Sequence, residues 1–278
     1  MKIGFALIPL LVLTTSPVAA DQAELLEFMG GQGCTFGADS RAAAVEAGFA
    51  EADIDALTTT ALLDGAANQE GAYVVLSEEL CTIRLPDIPS RYKTTSPEIV
   101  AITSAVDAFV ADGDHGCFLL EPIEAFDKFK GGAKGAGYLD YLRFVASAMV
   151  AGDLTAYGTD PLHIFPGFQV VTGNCAQIPH IQDIQRSHQT LAFVFGPMIR
   201  KVGAERECGD DDRYVLNDAH SAELLRRQKV AQLGFVPANE WMWAEVTFIA
   251  IGAGWYENMT ATEMGTPRPP LCHYRRNT

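Results

Sequence analysis

Two loops of this chain gather carboxylates. Asp112 and Asp114 flank a glycine just before His115, in the turn Asp112-Gly113-Asp114-His115-Gly116, and Asp210, Asp211 and Asp212 run together directly after Cys208-Gly209. Clustered loop carboxylates suit calcium, which takes about six to eight oxygen ligands and tolerates irregular geometry. These five aspartates are the candidate metal ligands, and neither loop has EF-hand spacing. With His115 and His220 they also supply the residue types of acid–base hydrolysis, in which a positioned imidazole or carboxylate moves a proton at the reacting bond. Asp183 and His188 add one more acid–imidazole pair on a helical stretch. No GxSxG elbow, HExxH helix or phosphate-binding loop is present, and no Cys/His spacing resembles a zinc site. No catalytic residue is assigned from these patterns, and no cofactor is expected.

The six cysteines do a different kind of chemistry. An even number in an exported chain reads as a disulfide framework. Lys2, the apolar run Ile3 to Leu13 and the small residues Val18-Ala19-Ala20 make residues 1–20 a signal peptide. The expected compartment is therefore periplasmic or extracellular. No later stretch is long and apolar enough to span a membrane; Trp241 to Tyr256 comes closest and is interrupted by Glu245. No CxxC pair occurs, so a thioredoxin-like redox role has no motif behind it.

The elements that must position these residues recur in a loose threefold order. Ala23 to Met29 reads as a helix ending at Gly30-Gly31, and Cys34 follows. The Ala-rich run Arg41 to Ala47, capped by Asp39 or Ser40, and a helix with Ile54, Leu57 and Ala61 on one face come next. Ala72 to Leu76 and Leu80 to Leu85 are β-like and are expected to form a hairpin around Ser77-Glu78-Glu79. Alternation in the second run puts Cys81, Ile83 and Leu85 on one face and Thr82 and Arg84 on the other. Cys81 thus faces inward, as a partner of Cys34 must.

Further on, a helix opened by Ser96-Pro97 leads towards Cys117. Leu139, Leu142, Val145 and Met149 mark a helical face, short β-like runs surround Leu154 to Tyr157 and Phe168 to Val171, and Cys175 closes the segment. Ile181 to Val202 is helical in pattern, and Gly196-Pro197 is expected to kink or split it. Cys208, a helix ending near Gly234, a helix bearing Ala244, Phe248 and Ile251, and Cys272 complete the third segment. The pairs Cys34–Cys81, Cys117–Cys175 and Cys208–Cys272 follow, each bracketing one segment.

The expected fold is α+β, mainly helical with small β-hairpins, as three diverged disulfide-stapled modules over residues 21–90, 91–180 and 181–278. The helix, helix, hairpin order resembles a winged-helix arrangement, whose DNA-binding members use basic helices and wings. Residues 21–90 instead hold 13 Asp and Glu against two Arg, and the whole chain carries −15. Such a surface repels nucleic acid, so the geometry is expected as a packing solution without that function. The leading functional reading is a disulfide-stabilised interaction protein with no evident catalytic site, serving a protein or peptide partner that is cationic. The alternative from another class is a small hydrolase whose His and carboxylates meet only in the fold.

Overall fold

The computed structural model describes residues 17–103, 117–119, 122–156, 168–177, 181–209 and 242–274. It is mainly helical, with small antiparallel sheets of two or three strands. None of its helices is long and apolar enough to cross a membrane among the described residues.

Helix α1 (Pro17–Gly31) runs into Cys34. Strand β1 (Thr35–Phe36), helices α2 (Ala38–Glu46) and α3 (Glu51–Leu63), and strands β2 (Ala67–Glu70) and β3 (Tyr73–Leu76) then lead to Cys81. After a single helical turn, α4 (Pro97–Val100), the chain repeats the order. Cys117 precedes β4 (Phe118–Leu119), α5 (Ile123–Phe129), α6 (Tyr138–Ala151), β5 (Leu154–Thr155) and β6 (Phe168–Val170), and Cys175 lies in the 3-10 turn that follows. Helix α7 (Ile181–Glu205) leads to Cys208; α8 (Met242–Gly252), β7 (Tyr256–Glu257) and β8 (Thr266–Pro267) lead to Cys272.

The units match in register as well as in order. The first two sheets are wired β1-β3-β2 and β4-β6-β5, so the first strand pairs with the third in both. This wiring resembles that of a winged-helix arrangement. Thr35 lies opposite Val75, and Phe118 opposite Gln169. The amide of Leu76 donates to Cys34 O at 2.9 Å, and that of Val170 to Cys117 O at 2.8 Å. The last helix of each unit, α3, α6 or α8, is followed by a left-handed glycine, Gly65, Gly152 or Gly254, with φ of 70°, 74° and 76°. The residue after each glycine closes the helix end: Ala66 donates to Ala61 O, Asp153 to Ala148 O and Trp255 to Ala250 O. A side chain other than glycine is strained in that conformation, which is why glycine recurs at this reversal. The ladder then closes through Ser77 N to Ala66 O, Val171 N to Asp153 O and Arg268 N to Trp255 O.

Three disulfides close the units in sequence order, Cys34–Cys81, Cys117–Cys175 and Cys208–Cys272, with Cα separations of 5.7, 5.6 and 5.0 Å. One part of the expected hairpin is corrected. β3 pairs with β2 before it, through a turn in which Gly71 has φ 58°, and residues 80–85 form no strand. Burial alternates from Cys81 to Arg84 as expected, but the backbone is taken by helices. Arg84 N donates to Gly30 O, and Arg200 of α7 donates to Leu76 O and Cys81 O. The other correction concerns a split at Gly196-Pro197, which does not occur: α7 continues through Pro197 as one helix of 25 residues.

Core residues from all three units form one continuous apolar cluster. Matched helix positions fill it: Ile54, Tyr141 and Trp243 are all buried, as are Leu57, Phe144 and Val246. Helices α6 and α8 make the closest pairing, because Gly252 lets α8 settle onto Ala146 and the carbonyl of Leu142. The matching positions in α3 are Asp55 and Thr59, and both are exposed. Sequence thus decides which helix is central: apolar and small residues in α6 and α8, polar ones in α3.

Candidate functional site

The α6–α8 contact leaves a cleft beside it. Leu139, Leu142 and Arg143 of α6 form one wall, and Ile251 and Gly252 of α8 form the floor. Beyond Gly254 the chain turns into β7, which supplies Tyr256 and Glu257, followed by Asn258 and Met259. The first unit contributes Asp39, in the first turn of α2, where a carboxylate suits the positive end of the helix dipole. That turn is fixed by Ser40, whose hydroxyl accepts from Gly37 N and donates to Thr35 O. The cleft measures about 510 Å³, and all three units line it.

Arg268 lies behind two of these carboxylates. Its side chain is 4% exposed, Nη1 donates to Pro269 O at 3.0 Å, and Nε has no acceptor. Burial pulls its pKa down to about 10, with the charges of Asp39 and Glu257 opposing that shift, so the guanidinium stays charged at neutral pH. The side formed by Asp39, Glu257 and Arg268 therefore has a formal charge of one negative. The α6 wall has one positive charge, Arg143. The cleft lining thus carries both signs of charge.

Three further titratable groups, Glu245, Asp153 and His188, sit at the seams. Glu245 of α8 is buried, and its Oε1 accepts from the Thr155 hydroxyl at 2.6 Å and from Ala156 N at 2.8 Å. Burial pushes its pKa up to about 7, against the pull of both hydrogen bonds. Asp153 and His188 lie close enough to feel each other's charge. Burial raises the carboxyl and lowers the imidazole, while their mutual attraction opposes both shifts. His188 is held by its neighbours: a Cβ at Gly152 would meet its ring at 2.8 Å. Asp183, which the sequence offers as a partner of His188, pairs with Arg186 at 3.4 Å. His273 shares a hydrogen bond with Gly203 O at 2.9 Å, which ties the terminal segment to α7.

Asp112, Asp114, His115, Asp210, Asp211, Asp212 and His220 lie outside the described residues. Among the described residues, no group of three or more His, Cys, Asp or Glu is placed to hold a metal ion. No known protein family, characterised protein or solved structure matches this chain. Sequence reasoning missed Arg143, Arg268 and Glu245 as site residues. Only Glu245 leaves a signal, a lone carboxylate in the apolar run from Trp241 to Tyr256. Such a group is either a surface residue of an amphipathic helix or a buried acceptor, and only packing separates the two.

Proposed function

We propose that this is an exported, disulfide-stapled binding protein of the periplasm or extracellular space, which presents its acidic first unit to a cationic protein or peptide. One observation carries the reading. The two arginines of residues 21–90 are consumed within the unit, Arg41 on Asp55 at 2.7 Å and Arg84 on Glu27. Glu46, Glu51, Asp53 and Asp64 are exposed on α2, α3 and their ends. In a DNA-binding winged helix the matching surface is basic; here it attracts the opposite partner. Complementary charge of this kind steers encounter and weakens with salt.

Charge reversal tests it. Glu46→Lys and Asp64→Lys place cations at helix C-terminal ends, where the dipole favours them, so the fold is retained. Against a lysine-rich peptide this pair of substitutions should weaken binding by about tenfold or more at low salt. Glu205→Lys with Glu263→Lys changes net charge equally on the third segment and should weaken it far less. Equal losses from both pairs would reduce the effect to overall charge and overturn the reading.

A further inference from the structure

We infer that the cleft between the three units is a separate binding site for a small zwitterion with an apolar body, a free apolar amino acid or a short apolar peptide. Three features point to that ligand class. The volume, about 510 Å³, falls in the range of pockets that enclose small molecules. Leu139 and Met259 offer aliphatic surface to an apolar body, with Leu142 and Ile251 packed beneath them in the core. The lining carries both signs of charge on different elements: Asp39 of α2 and Glu257 of β7 are acidic, and Arg143 of α6 is basic.

The buried guanidinium decides which charge the β7 side prefers. Arg268 offsets one of the two carboxylates and leaves room for one further positive charge, not two. A ligand ammonium fits there, and its carboxylate fits Arg143, which can grip it through two parallel N–H donors. A purely cationic ligand would leave Arg143 unanswered, and a purely anionic one would face Asp39 and Glu257. The site needs all three units, because Asp39, Arg143 and Glu257 come from one each. It is independent of the acidic face of α3, so either proposal can fail without the other.

Calorimetry with the full mature chain tests it, using leucine and trileucine as probes. Binding by leucine alone assigns the site to a free amino acid, and tighter binding by trileucine assigns it to a peptide. Arg143→Gln should weaken the bound probe about tenfold or more, and Arg143→Lys should recover part of the loss. Trileucine amide, which lacks the carboxylate, should bind weakly and be insensitive to Arg143→Gln. Arg143 is exposed, so these variants fold, and thermal unfolding checks that they do. No heat from either probe, or equal binding by Arg143→Gln and the parent, overturns the inference.

Discussion

The Thr155 hydroxyl donates to the carboxylate of Glu245 at 2.6 Å across the boundary between the second and third units. Both residues are buried, and the same carboxylate oxygen also holds Ala156 N. An acidic side chain thus supports the end of β5 from the first turn of an apolar helix.

This arrangement makes stability depend on pH. Because the folded pKa is raised from 4.5 to about 7, the protonated form is favoured in the native state. The associated stability is fully present below pH 4.5 and is lost as pH rises through about 7. The shift corresponds to about 3 kcal/mol. Glu245→Gln keeps an acceptor for Thr155 and Ala156 and removes the titration. It should match the parent at pH 4 and exceed it at pH 8, as read by urea unfolding at both values.

Gly196 and Gly203 should show packing overriding helix propensity. In an isolated helix, glycine to alanine stabilises by about 1 kcal/mol. Here a Cβ at Gly196 would lie 2.5 Å from the carbonyl oxygen of Ile83, and one at Gly203 would collide with the carbonyl of Pro270. Gly196→Ala and Gly203→Ala should each destabilise by about 1–3 kcal/mol, the cost of overpacking. A stabilising effect in chemical denaturation would mean that α7 does not pack on those backbones.

Asp127 should anchor the loop before α6. Its two carboxylate oxygens accept from Gly135 N and Gly137 N, both at 2.9 Å. These bonds hold its pKa below the ordinary value, so its contribution is present above that value and is lost as pH falls through the lowered one. Asp127→Asn replaces one accepting oxygen with a donor. Faster amide exchange at Gly135 and Gly137, with little change in the third unit, is the expected result.

Each disulfide should matter to the whole chain, because the units share one core. In the chain-entropy model, closing loops of 47, 58 and 64 residues stabilises by about 4 kcal/mol each. Cys34→Ala with Cys81→Ala should lower the midpoint of thermal unfolding for the entire molecule. Loss of structure confined to the first unit would contradict the shared core. Non-reducing peptide maps should return the three sequential pairs.

Much of this architecture is written locally. The glycine that follows the last helix of each unit, the apolar face Ile54, Leu57 and Ala61, and the period-two burial at Cys81 and Ile83 follow from backbone sterics and side-chain spacing within a few residues. The cystine pairing was legible for a related reason, since an inward-facing cysteine at the close of a compact segment has its partner at the opening. The location of the first hairpin was not legible. Residues 80–85 have the composition of a strand, but α1 and α7 satisfy their backbone instead of a neighbouring strand. Nor did any local pattern place Glu245 inside, bring Arg143 into one cleft with Asp39 and Glu257, or bury Arg268 within reach of those two charges. Those charges sit far apart in the chain, and what each one does depends on which neighbours remove its water. Burial and opposition of charge are properties of the packed units, so tertiary structure alone decided them.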